Sequence, residues 1–162
     1  MSPFDATGDT AARTLIERYI RALHEQDFDT LGASQHPEFV EDYPQSGERI
    51  RGRADWRWIL QNYPGGLTGP ADASADTVVG GEDRWLIAPT FTMVRVSGAG
   101  DMQTATVRLR YPDGSTWYMI SMIELRDGLI AKATTYFAPM FDAPDWRKAH
   151  VGTIPGWTPE GG

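Results

Sequence analysis

Residues 121–137, SMIELRDGLIAKATTYF, read as two strands joined by a tight RDG turn. The first strand extends back to Thr116. Its period-2 pattern gives one face Trp117, Met119, Ser121, Ile123 and Leu125, and the other Thr116, Tyr118, Ile120, Met122 and Glu124. Both faces are largely apolar. A half-solvated antiparallel sheet normally presents one polar face, so the second apolar face predicts contact with another copy of the chain, a homodimer.

Upstream, RWLIAPTFTMVRV and MQTATVRLRY are set off by SGAGD and PDG, which extends the hairpin to four antiparallel strands after Thr77. Pro89 lies inside the first of them and cannot donate to a ladder, so a bulge or bend is expected there. Before Thr77 the period changes. Leu15, Ile16, Tyr19, Ile20 and Leu23 fall at helical spacing and predict a helix from about Ala11 to His24, capped by Asp9 or Thr10. Asp27 is placed to N-cap a shorter helix that buries Phe28 and Leu31 and ends at Gly32. Phe39 to Tyr43 reads as a short strand closed by Pro44, Ser46 and Gly47. Trp56, Ile59, Leu60 and Tyr63 then repeat as a third helix over Ala54 to Tyr63.

The loop GGLTGPADAS is too short to separate domains. The expected organisation is an N-terminal extension (1–10), one folded domain (11–138) and a Pro/Gly-rich C-terminal arm (139–162), in which Phe141 and Trp146 are expected to bury. At 162 residues and 18.0 kDa, with 41% hydrophobic residues, the chain can form a single substantial core.

Composition narrows the chemistry. A net charge of −7 argues against a nucleic-acid partner. The one basic run, Arg49, Arg51 and Arg53, reads either as a solvated loop pairing with Glu41, Glu48 or Asp55, or as an anion clamp at the mouth of a pocket. The absence of cysteine excludes a disulfide framework, a thiolate nucleophile and any zinc site that uses sulfur. His24, His36 and His150 have no paired spacing, so no metal is expected. With no Gly-rich phosphate loop or dinucleotide fingerprint, no cofactor is expected either. No window approaches the ~18 apolar residues of a membrane span, and a cytoplasmic protein without membrane contact is expected.

Two side chains are the leading catalytic candidates. If Asp42 faces an aromatic interior, it loses water and its pKa rises toward general-base use, with Glu41 pointing outward. The alternatives are that Asp42 caps the following turn or pairs with a nearby arginine. Tyr19, on the apolar stripe of the first helix, buries its ring and must find a partner for its hydroxyl. Trp56 and Trp117 are core residues by default, with a cavity-lining role open to them.

Taken together, ARTLIERYIRALHEQDFDTL (12–31), EFVEDYPQSGERIRG (38–52) and the hairpin resemble the SnoaL-like branch of the nuclear transport factor 2-like superfamily, from about Arg13 to Phe137. The resemblance implies an α+β cone. A curved, mostly antiparallel sheet packs against three N-terminal helices and encloses a pocket for a small molecule. It implies cofactor-independent acid/base chemistry on a carbonyl compound, of isomerase, cyclase or dehydratase type, or else a binding protein of the same fold without turnover. Tyr19 and Asp42, 23 residues apart, are similar to the pair in steroid delta-isomerase, where the tyrosine donates to a developing enolate oxygen and the aspartate shuttles the proton. Aligning the hairpins turns Ser121, Ala133, Thr135 and Phe137 inward and Glu124 outward. Ser121 then stands where that enzyme has its second oxyanion donor, and Thr135 where SnoaL-type cyclases carry an acid/base carboxylate. Trp56, Trp117, Met119 and Phe137 would line the pocket. Arg108 would join them to bind an acidic or carbonyl group, unless a one-residue slip places Val107 and Leu109 inside instead.

Overall fold

The computed structural model describes residues 6–62, 78–79, 85–87, 91–110 and 116–157. Three helices, α1 (Ala6–Glu25), α2 (Phe28–Ser34) and α3 (Arg53–Gln61), interleave with strands β1 (Gln35–Tyr43) and β2 (Glu48–Arg51). Strands β3 (Val78–Val79), β4 (Trp85–Ile87), β5 (Phe91–Ala99), β6 (Met102–Arg110), β7 (Thr116–Arg126) and β8 (Leu129–Pro139) follow, then a short 3-10 turn at Asp145–His150. They form one sheet in the order β2-β1-β8-β7-β6-β5-β4-β3. Among the described strands only β1 and β8 pair in parallel, so a strand from the N-terminal third lies beside the last of them. The result is an α+β fold in which the helices pack on a curved, unclosed, mostly antiparallel sheet.

Local chemistry explains the elements. Ala12, Leu15, Ile16, Tyr19, Ile20 and Leu23 form the buried stripe of α1, which packs against β5 and β6 and is tied to them by Arg13 Nη2 donating to the Val96 carbonyl (2.6 Å). Asp27 caps α2 as expected, its carboxylate accepting from the Thr30 amide at 3.0 Å. The RDG turn between β7 and β8 places Asp127 (φ 54°) and Gly128 (φ 71°) in the left-handed region, as a two-residue type I′ hairpin requires. Past that turn, Glu124 pairs with Lys132 but Leu125 with Ile130, so Ala131 is an extra residue. The bulge accounts for the adjacent Ile130 and Ala131 both being buried, and it sharpens the local twist that bends the sheet.

Several boundaries move from the sequence reading. α1 begins at Ala6, five residues before Ala11, and β1 begins at Gln35, four before Phe39. RWLIAPTFTMVRV is divided between β4 and β5; Pro89, Tyr63 and the GGLTGPADAS loop lie outside the described residues. The C-terminal arm is not packed as expected. Phe141 and Trp146 are 77% and 81% exposed, because the 3-10 turn after Pro144 is held by a local Lys148–Asp145 contact rather than by burial. Among the described residues, no helix is long and apolar enough to cross a membrane.

Inside the sheet, Val96, Ala105, Val107, Leu109, Ile123 and Ala133 join Phe39 and the α1 stripe in one apolar cluster. Phe39 is 1% exposed and touches the edge of the Trp56 ring, with centroids 6.1 Å apart. Phe39→Ala should therefore cost about 3–5 kcal/mol of stability. Urea denaturation followed by circular dichroism measures it; a loss below about 1 kcal/mol would mean that β1 does not seat in the core.

Candidate active site

The inward face of β1 follows from Phe39. Because side chains alternate, burying Phe39 carries Glu41 and Tyr43 to the same side and sends Val40 and Asp42 to the other. Glu41 is 7% exposed. The expectation for Asp42 is thus corrected: it faces outward, opposite Arg49 in the β1–β2 ladder, and accepts two hydrogen bonds from that guanidinium (Nε to Oδ1, 2.6 Å; Nη2 to Oδ2, 2.7 Å). The arginine holds its carboxyl below the usual aspartate range, the opposite of what a general base needs. Arginine pairing, the competing reading of Asp42, is what the fold adopts.

Glu41 occupies the interior position instead. Its Oε1 accepts from Thr135 Oγ1 (2.7 Å) on β8, and its Oε2 from the Trp56 indole N–H (2.5 Å) on α3. Tyr43 adds a further hydrogen bond. The Thr135 oxygen lies 2.8 Å from Ser121 Oγ on β7. Since the single Thr135 proton points at Glu41, Ser121 must donate to Thr135, and the two hydroxyls form a directed relay ending on the carboxylate. Burial pushes the Glu41 carboxyl above the usual glutamate range; the three hydrogen bonds oppose this without cancelling it, and the nearby Asp42 charge adds to the rise.

Tyr19 is where the sequence places it, on the buried stripe of α1. Its hydroxyl oxygen accepts from Gln35 Nε2 (3.1 Å), and its ring lies 5.8 Å from that of Trp56. Burial first, and then the Glu41 charge, raise its pKa well above the ordinary tyrosine value, so the phenol keeps its proton. A carboxylate made more basic and a phenol held neutral therefore share one interior.

The remaining candidates divide by face. Trp56, Ser121 and Thr135 join Glu41 directly. Trp117, Met119 and Phe137 lie on the same inward face of β7 and β8, with Phe137 against Tyr43 at 5.7 Å. Arg108 does not: Val107 and Leu109 are buried, and Arg108 lies opposite Tyr118 on the outer face. The slip considered for this strand is the register found. Sequence reasoning missed Glu41, Tyr43 and Gln35; Phe39 and Tyr43, two residues either side of Glu41, were the available signal. Among the described residues no group of three metal-ligating side chains converges.

The SnoaL-like domain model matches residues 16–133, so the chain belongs to the SnoaL-like family. Its fold is shared with an NTF-2-like protein of unknown function from Burkholderia xenovorans LB400 (27% identity, TM-score 0.70, covering 90% of this chain and 97% of that one). A "putative ketosteroid isomerase" from Kribbella flavida DSM 17836 is similar at 23% identity (TM-score 0.67, 90% and 91% coverage). An LEH-like epoxide hydrolase of M. tuberculosis is similar at 20% identity (TM-score 0.55, 79% and 83% coverage). A comparison with curated protein sequences returns no match.

The raised Glu41 pKa fixes the sign of a stability effect. A carboxyl that binds its proton more tightly when folded penalises folding once ionised: the cost is absent below the unfolded value of about 4.3 and complete above the folded value. The melting temperature of Glu41→Gln relative to the parent should thus rise between pH 4 and pH 7, on top of a pH-independent offset from the hydrogen bonds that the amide cannot accept. An unchanged difference across that range would show that Glu41 ionises as freely in the fold as in water.

Proposed function

We propose that this chain catalyses cofactor-independent proton transfer on a small carbonyl-containing molecule, of isomerase, cyclase or dehydratase type. Glu41 is the general base and Tyr19 the donor to the developing enolate oxygen. The observation that carries this reading is the buried Glu41 carboxylate beside a phenol that stays protonated. A carboxylate has about four lone-pair positions, and Thr135, Trp56 and Tyr43 occupy three. The fourth is left for a substrate C–H, while the donors hold the oxygens in place. Gln35 satisfies the acceptor side of Tyr19 and so orients its O–H as a donor. The Ser121–Thr135 relay points its protons toward Glu41 and so steadies the ionised base, while the proton Glu41 takes from the α-carbon stays on its carboxyl for return to the substrate. The likeness to isomerase-like and epoxide-hydrolase-like folds supports an enzymatic reading at this coarse level.

One observation favours a second reading, a small-molecule-binding protein without turnover. The Trp56 indole stands against Glu41 and uses one of its oxygens, which is the position a substrate group would need.

Deuterium exchange at the α-carbon of a panel of small cyclic ketones, followed by NMR, separates the two. Turnover predicts exchange that rises with pH through the elevated Glu41 pKa and then levels. It also predicts a loss of at least ~100-fold in Glu41→Gln and of about 100- to 1,000-fold in Tyr19→Phe. Exchange that survives Glu41→Gln removes Glu41 as the base, and exchange that is absent from the parent while ketones bind transfers the site to the binding reading.

For the assembly, we propose that a second copy covers the outer stripe of Tyr118, Ile120, Met122 and Tyr136, where Met122 and Tyr136 are exposed. Light scattering should give a dimer that Ile120→Asp converts to a monomer. A parent protein that is monomeric at micromolar concentration removes this interface.

A further inference from the structure

A cleft of about 300 Å³ lies between α2 and α3, with apolar walls from Phe28, Leu31, Ala54 and Trp56 and two guanidinium groups from Arg53 and Arg57. The two arginines are four residues apart on α3 and so share one face. Both are anchored across the cleft to α2. Arg53 Nη1 donates to the Gly32 carbonyl (3.0 Å), and the Arg57 guanidinium stacks 5.2 Å from the Phe28 ring centroid. Asp29, whose side chain is 97% exposed, reaches Arg57 only at 3.9 Å. Water screens a pair of that kind and leaves its cation available. A positive, apolar-walled recess in a chain of net charge −7 attracts small anions against the field of the whole molecule.

We infer that this cleft is a binding site for a small organic carboxylate with an aromatic or branched apolar body. The planar forks of Arg53 and Arg57 match a carboxylate head, and Phe28, Leu31 and Trp56 cover the body. An inorganic anion satisfies the first feature alone, and a neutral aromatic the second alone. The site also contacts the interior. The far side of Trp56 holds Glu41, and Gln35, which lines the cleft, holds Tyr19. An occupant of the cleft therefore touches both side chains that position the proposed catalytic pair. The Arg49–Arg51–Arg53 run is divided by its neighbours: Arg49 pairs with Asp42, while Arg53 turns to the cleft. This site does not depend on the proton-transfer reading.

The test is a ¹H–¹⁵N NMR titration with 3-phenylpropionate, 3-phenylpropanol and inorganic phosphate, following the Trp56 indole N–H and the amides of residues 28–32 and 53–57. Phenylpropionate should shift these signals and bind more tightly than either control. Arg53→Gln with Arg57→Gln should weaken it about five- to tenfold, toward the affinity of the alcohol. Arg53→Lys keeps the charge but loses the planar fork, so it should weaken binding by about two- to threefold and still favour the carboxylate over the alcohol, which preserves the test if the double variant misfolds. Equal binding of the alcohol or of phosphate, unchanged binding in the charge-removed variant, or loss of the preference for the carboxylate over the alcohol in Arg53→Lys would each overturn the assignment.

Discussion

The burial of one carboxylate constrains how the rest of this fold comes together. An ionised Glu41 removed from water without partners would cost several kcal/mol, and the chain satisfies it with donors from separate elements: Thr135 on β8, Trp56 on α3 and Tyr43 on β1 itself. The parallel pairing of β1 with β8 places Glu41 opposite Ala133, close enough for Thr135 to reach it. The seat of α3 on β1 and β2 brings the indole from the other side. The Thr135 contact spans 94 residues of sequence, so the charge is fully satisfied only when the N-terminal and C-terminal parts are assembled together.

Much of the fold was legible because it rests on local chemistry. The α1 stripe, the Asp27 cap and the RDG hairpin depend on periodicity or turn residues that neighbours in sequence display, whereas the inward register of Ser121, Thr135 and Phe137 rested on the resemblance of the hairpin to the family's. The error at β1 has a different origin. Glu41 and Asp42 are adjacent acids on a short strand, and a one-residue change of face exchanges their roles completely. Matching the spacing from Tyr19 favoured Asp42, whereas the burial of Phe39 selects Glu41. Nothing local reveals that Thr135, 94 residues away, supplies the partner that makes the buried acid tolerable. Gln35 was hidden for a similar reason, since its role exists only where β1 passes under Tyr19.

The two acids then illustrate how a strand sorts charge. On the outer side, Asp42 meets Arg49 across the ladder and Lys132 adds to the lowering of its pKa, so its ionisation is favoured by solvent and partners alike. On the inner side, Glu41 has hydrogen bonds but, among the described residues, no cation that lowers its pKa, which moves the other way. Hydrogen bonds orient a charge and reduce its cost, yet only an opposite charge or water removes that cost. A group left in this intermediate condition can change protonation state without dismantling its surroundings, because Thr135 can rotate its hydroxyl when Glu41 takes a proton.

Tyr19 is coupled to that change. The negative charge on Glu41 is the second cause of its raised pKa, after burial, so a proton arriving at Glu41 makes the phenol more acidic and a better hydrogen-bond donor. In the proposed reaction the two groups would act in sequence: once Glu41 has accepted a proton, Tyr19 becomes the stronger donor at the moment when charge develops on a neighbouring oxygen. Trp56 stands between this pair and the α2–α3 cleft, its N–H committed to Glu41 and its ring packed on Tyr19. Any movement of that indole must weaken a hydrogen bond that lowers the Glu41 pKa. The protonation of the interior is thereby linked, through one side chain, to what occupies the cleft outside it.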